Sequence, residues 1–127
     1  MKRIIIVEDD SDDQEFLTEA LMAFENISYT VFVNSIAMLK MLDESEHPAD
    51  VSAIVIDYHL PLKGGFETLL ELKRNPRTSH IPVVILTASI LHNDECMNAG
   101  CSRYLIKPSS MDDYRKTAKH IMEVVAP

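Results

Sequence analysis

Four short apolar runs in this chain each stop at a polar residue able to take part in phosphoryl chemistry. Ile4 to Val7 stops at Glu8-Asp9-Asp10, and Ala53 to Ile56 stops at Asp57. Val83 to Leu86 stops at Thr87, and Tyr104 to Ile106 stops at Lys107-Pro108. Runs without polar alternation suit strands of a parallel sheet covered on both faces. If they are such strands, their C-terminal ends share one edge, and acids, a hydroxyl and a lysine converge there.

Helix-like segments fill the intervals. Ser11 and Gln14 have capping-box spacing and open a helix predicted to run to about Glu25, with Leu17, Ala20, Leu21 and Phe24 on its apolar face. Tyr29 to Val33 reads as a further strand. Ser35 is placed to cap a short helix carrying Ile36, Leu39, Met41 and Leu42, and Glu44 to Asp50 reads as loop. Pro61, Gly64 and Gly65 mark turns before a helix with Phe66, Leu69, Leu70 and Leu72, which Asn75-Pro76 ends. The least apolar helix is predicted over Leu91 to Ala99, stopping at Gly100. A strand over Arg103 to Ile106 follows. Ser110 with Asp113 opens the last helix, whose face is Tyr114, Ala118, Ile121, Met122 and Val125.

These five strand–helix units predict an α/β fold with a doubly wound five-stranded parallel sheet and five helices. Right-handed crossovers leave few topologies, among them the flavodoxin-like order 2-1-3-4-5. Its switch point lies between the first and third strands, so the crevice is bounded by Glu8-Asp9 and Asp57.

At 127 residues and 46% hydrophobic, the chain is sized for one domain with a real core. The net charge of −8 is unevenly spread: residues 1–57 carry 13 acids against 3 bases, the remainder 7 against 9. An acidic chain with no basic stripe is a poor nucleic-acid binder. Cys96 and Cys101 form no metal-spaced pattern and read as reduced thiols of a cytoplasmic protein. No run approaches membrane-spanning length. Asp12 and Asp13 divide between a pocket role and that of solvated acids at a helix start, where the dipole favours them.

Three carboxylates at one sheet edge repel one another, and a divalent cation relieves them together. Hard oxygen donors with room for water suit Mg2+. Asp57, at the centre, is the natural nucleophile for accepting a phosphoryl group. Lys107 would bring a compact positive charge to the phosphoryl oxygens, and Thr87 a hydroxyl donor.

The chain resembles the receiver domains of two-component response regulators, in particular the chemotaxis-type single-domain members. The likeness covers residues 2–125 and rests on Ile5-Ile6-Val7-Glu8-Asp9, on Asp57-Tyr58-His59-Leu60-Pro61 leading to Gly65, on Pro82 to Ala88, on Ala99-Gly100, and on Tyr104-Leu105-Ile106-Lys107-Pro108. The resemblance implies that Asp57 is the phosphoacceptor. It implies that Glu8, Asp9, Asp57 and the backbone carbonyl of His59 hold Mg2+, and that Thr87 and Lys107 contact the phosphoryl group. Thr87 and Tyr104 would form the switch, and the Lys107-Pro108 peptide would be cis. The donor would be a sensor histidine kinase or histidine phosphotransfer protein.

On this reading residues 1–127 are a single receiver domain without an output domain. It is a stoichiometric phosphoacceptor, not an enzyme, which promotes its own phosphorylation and dephosphorylation. It signals to an unidentified protein target through the face around Arg103, Tyr104, Asp112 and Asp113, and is a monomer or weak homodimer with no nucleic-acid or membrane partner. The imidazole of His59 and the hydroxyl of Ser89 divide between tuning dephosphorylation and ordinary loop roles.

Two other classes fit less well. A phosphohydrolase with an aspartyl nucleophile, resembling the haloacid dehalogenase group, would carry a second acid where Asp57-Tyr58-His59 has histidine. A scaffold that binds partners without being phosphorylated would leave the acids, Thr87 and Lys107 without a role.

Overall fold

The computed structural model describes residues 1–125; the last two residues of the predicted 1–127 domain lie outside the described residues. The strands are β1 (Lys2–Val7), β2 (Ile27–Phe32), β3 (Ala53–Asp57), β4 (Val83–Thr87) and β5 (Arg103–Ile106). The helices are α1 (Ser11–Leu21), α2 (Ser35–Glu44), α3 (Gly65–Arg74), α4 (Asn93–Asn98) and α5 (Met111–Val124), with one 3-10 turn at Pro48–Asp50. All strand pairs are parallel and the order is β2-β1-β3-β4-β5, as predicted.

The unbroken apolar runs follow from two cores, one on each face of the sheet. Ile5, Val7, Ile54, Ile56, Val83 and Ile85 point to one side and pack with Met38 and Leu42 of α2, Leu69 and Leu72 of α3, and Cys96 of α4. Ile4, Ile6, Ala53, Val55, Val84 and Leu86 point to the other, against Leu17, Ala20 and Leu21 of α1 and Tyr114, Ala118 and Ile121 of α5. Successive residues of a strand face opposite ways, so a strand covered twice is apolar at every position.

Register turns this packing into a site. Val7 pairs with Ile56 across β1 and β3, and Asp57 pairs with Leu86 across β3 and β4. Thr87 pairs with Ile106 across β4 and β5. Glu8, Asp57, Thr87 and Lys107 therefore lie at neighbouring strand ends on one edge.

The structure differs from the sequence-based expectations at several element ends. α1 is capped by Asp10, whose side chain accepts from the Asp13 N–H at 3.0 Å, not by Ser11, and it stops at Leu21. Gln14 donates to the Glu8 carbonyl at 2.6 Å and does not close a capping box. Asn34 caps α2 through the Ala37 N–H at 2.9 Å, leaving Ser35 buried. β2 starts two residues earlier than Tyr29.

α4 is six residues, shorter than Leu91 to Ala99, because Leu91 remains 82% exposed and only Cys96 of the helix is buried. Gly100 takes φ +106° after it, in the left-handed region open to glycine. Among the described residues there is no cis peptide, so Lys107-Pro108 is trans and the expected cis bond is not found. No helix among them is long and apolar enough to cross a membrane.

Candidate functional site

Glu8 and Asp57 are carried to the sheet edge by β1 and β3 and are 4% and 6% exposed, while Asp9 is open to solvent. Oxygens of Glu8, Asp9 and Asp57 lie within 4.8 Å of one another. That spacing and the hard-oxygen donor set fit a divalent cation such as Mg2+.

Lys107 enters the same pocket from the end of β5. Its backbone N–H donates to the Thr87 carbonyl at 2.7 Å, which fixes the base of the side chain. Its ammonium lies 2.6 Å from Glu8 Oε1, 2.9 Å from Asp57 Oδ2 and 2.9 Å from Asp13 Oδ2. A trans Lys107-Pro108 peptide thus suffices to bring the lysine to Asp57.

The two oxygens of Asp57 are held differently. Oδ2 faces the ammonium, and Oδ1 accepts from the His59 N–H at 3.1 Å. The loop after β3 can turn this tightly because Gly65 has no side chain. A Cβ there would meet the Asp57 carbonyl oxygen at 2.4 Å and the Tyr58 Cα at 2.7 Å. The Gly65 N–H donates to the Tyr58 carbonyl at 3.0 Å, closing the turn.

Three carboxylates, those of Glu8, Asp13 and Asp57, meet one ammonium, and the charges do not balance. Burial, opposed by the hydrogen bond from Lys107 and aided by the charge of Asp57, pushes the Glu8 carboxyl up to about 7. Burial alone would lower the Lys107 ammonium, but hydrogen bonds to Glu8, Asp13 and Asp57 outweigh it and hold the group well above the ordinary lysine range. Lys107 is therefore a permanent cation.

Thr87 is fully buried, and its hydroxyl accepts from the Ser89 N–H at 3.3 Å. The hydroxyl makes no hydrogen bond to Asp57 or Lys107 in this conformation. Tyr104 is half-buried, packs against the core shared by α2, α3 and α4, and donates its hydroxyl to the Ser89 carbonyl. Both candidate switch residues are thus tied to one segment, the loop between β4 and α4. His59 is exposed; its ring meets Tyr58 edge-on at 5.0 Å and does not enter the carboxylate cluster.

The structure adds two residues to the site. Asp13 joins the lysine, and the Tyr114 hydroxyl donates to Asp13 Oδ1 at 3.1 Å. In the sequence, Tyr114 shows only as part of an apolar face. For Asp13 the sequence offers only its place among the acids that follow β1.

The sequence profile of the response regulator receiver domain matches residues 4–119. The chain is 32% identical over 120 residues to the two-component response regulator ORR8 of Oryza sativa subsp. indica, covering 93% of this chain and 96% of that protein. It is 34% identical over 128 residues to response regulator Rcp1 of a Synechocystis species, covering 94% and 86%. The crystal structure of the Mn2+-bound form of Rcp1 superposes with a TM-score of 0.83 at 28% identity, covering 97% of this chain and 93% of that one. The phosphorylated cyanobacterial phytochrome response regulator RcpA gives the same score and identity over 96% and 91%.

Proposed function

The chain belongs to the family of response regulator receiver domains of two-component signalling, and from that membership we propose that it is a phosphoacceptor switch acting at Asp57. The observation that carries this reading is the placement of a buried Asp57 within 4.8 Å of Glu8 and Asp9 and 2.9 Å from the Lys107 ammonium. Receiver domains interact with histidine kinases and downstream targets. The donor here is a sensor histidine kinase or histidine phosphotransfer protein, and the chain works as one domain in the cytoplasm.

A carboxylate oxygen of Asp57 attacks the phosphorus of the donor phosphohistidine. The new P–O bond forms as the P–N bond breaks, and the imidazole leaves with the electron pair. Such transfer depends on positioning and charge neutralisation. Lys107 supplies one cation to the phosphoryl oxygens. Glu8, Asp9, Asp57 and the His59 carbonyl would hold Mg2+, which would supply further positive charge against the phosphoryl oxygens. The Mn2+-bound Rcp1 structure supports this assignment by similarity.

The phosphoryl group then offers an oxygen to which the Thr87 hydroxyl, now accepting from the Ser89 N–H, donates its own proton, drawing Thr87 toward Asp57. Thr87 and Tyr104 share the loop carrying Ser89, so moving one moves the anchor of the other. Phosphorylation favours one of two arrangements of that loop by differential contact.

Intact-protein mass after incubation with acetyl phosphate, with and without Mg2+, tests the reading. A single Mg2+-dependent phosphoryl adduct in the wild type, absent from Asp57→Asn, is the expected result. No adduct in the wild type under any condition would refute it.

A further inference from the structure

Asp13 looks at first like a helix-start acid, yet its side chain is held from two directions. Oδ2 lies 2.9 Å from the Lys107 ammonium, and Oδ1 accepts from the Tyr114 hydroxyl at 3.1 Å. Tyr114 is 3% exposed and sits in the core between α1 and α5. An acid that only complements the helix dipole needs neither partner.

The lysine makes the assignment sharper. An ammonium has three protons, and Lys107 has three carboxylate partners: Glu8, Asp13 and Asp57. Glu8 and Asp57 also belong to the group suited to a divalent cation, and Asp13 does not. Once a cation engages Glu8 and Asp57, Asp13 is the carboxylate left to hold the lysine.

We propose that Asp13 is a positioning residue for Lys107. Backed by Tyr114, it keeps the ammonium in the pocket and aimed at the phosphoryl group while Glu8 and Asp57 are engaged elsewhere. The raised proton affinities of Lys107 and Tyr114 accord with this arrangement: for Lys107 the carboxylates outweigh burial, and for Tyr114 burial acts together with Asp13. The proposal rests on the reading of Asp57 as a Mg2+-dependent phosphoacceptor.

The direction of one rate separates this role from a simple charge effect. Removing a carboxylate beside a pocket that takes up an anionic phosphoryl donor would, on charge alone, speed uptake. Loss of lysine positioning slows it. The test measures phosphoryl uptake from acetyl phosphate at saturating Mg2+ for wild type, Asp13→Asn and Tyr114→Phe, with urea midpoints to verify folding. Asp13→Asn is expected to lower the maximal rate roughly tenfold, the scale of one charge-assisted hydrogen bond lost in the transition state. Tyr114→Phe, which leaves the carboxylate but frees it, lowers the rate by a smaller factor.

A second readout needs no reaction. In the metal-free protein the side-chain ammonium of Lys107, observed by nitrogen-15 NMR and assigned through Lys107→Ala, exchanges its protons slowly in the wild type and faster in Asp13→Asn. An unchanged or higher uptake rate in folded Asp13→Asn, or unchanged ammonium exchange, overturns the proposal. A wild type that takes up no phosphoryl group overturns the functional reading and this proposal together. Uptake by the wild type that Asp13→Asn leaves intact overturns the proposal alone.

Discussion

The imidazole of His92 lies flat on the phenol ring of Tyr58, with centroids 4.1 Å apart and planes inclined by 4°. Tyr58 follows Asp57 directly, and His92 precedes α4 at its N-cap without a side-chain capping bond. The Tyr58 hydroxyl also donates to Glu95 at 2.9 Å. The stack therefore clasps the loop after β3 to the start of the shortest helix.

His92→Ala removes the ring and leaves the first turn of α4 held by the Tyr58–Glu95 hydrogen bond and the buried Cys96. A stacked aromatic pair is worth about 1 kcal/mol. Hydrogen exchange over residues 93–98 should rise by roughly fivefold, the equivalent of that energy, while the strands keep their protection. Unchanged exchange in α4 would show that the stack does not hold the helix.

Gly65→Ala forces a methyl carbon against backbone on two sides, the Asp57 carbonyl oxygen and the Tyr58 Cα. Neither can rotate away as a side-chain tip would. We expect a loss of about 2 kcal/mol or more in urea unfolding, at the upper part of the overpacking range. Phosphoryl uptake should fall too, since the displaced backbone is that of Asp57, the proposed acceptor, and its neighbour Tyr58. A variant as stable as wild type would contradict the close approach.

Glu8 gives the metal-free protein a pH dependence of definite sign. Its carboxyl titrates near 7 when folded, against an ordinary value of 4.5. Between those values the folded state binds the extra proton, so this group's contribution to stability falls as pH rises through the window. In EDTA, the difference between Glu8→Gln and wild type in urea midpoint should move in favour of Glu8→Gln from pH 5 to pH 7.5. A constant difference would remove Glu8 as the source.

Burial pushes both Cys96 and Cys101 up to about 11, so neither is a thiolate at neutral pH. Iodoacetamide at pH 8 should leave the folded protein unmodified and alkylate both thiols in urea. Rapid labelling of the native protein at Cys101 would mean that the loop after α4 opens independently of the core.

The strands and their order were legible in the sequence because each central strand is buried on both faces, leaving runs such as Ala53 to Ile56 unbroken. β5 matches its predicted bounds for a different reason: Gly100 and Lys107-Pro108 punctuate both ends. β2 was read as Tyr29 to Val33, two residues late at its start and one at its end: Ile27 and Ser28 are only half-buried on an edge strand, and the left-handed Asn26 that opens it went unread as the boundary. α4 was overextended because its sequence has no apolar stripe to mark where packing begins. At α1, Asp10 and Ser11 are both competent caps, and local sequence does not choose between them.

Glu8, Asp9, Asp57 and Lys107 come together as their positions after strands implied. Thr87 and Tyr104 reach the same edge but bond to the Ser89 segment. Asp13 could not be resolved in advance, since its partners Lys107 and Tyr114 lie 94 and 101 positions along the chain. Helix-start acids look alike until a fold brings a distant cation to one of them.

That separation has a consequence during synthesis. The acids of residues 8 to 13 leave the ribosome early, and the ammonium that answers them follows only after residue 107 is made and β5 has added to β4. Until then the nascent sheet must assemble with its most repulsive corner uncompensated. Contacts so distant in sequence form late and slowly, so the pocket is completed last. The chain can acquire most of its hydrophobic layers before the proposed phosphoacceptor pocket exists.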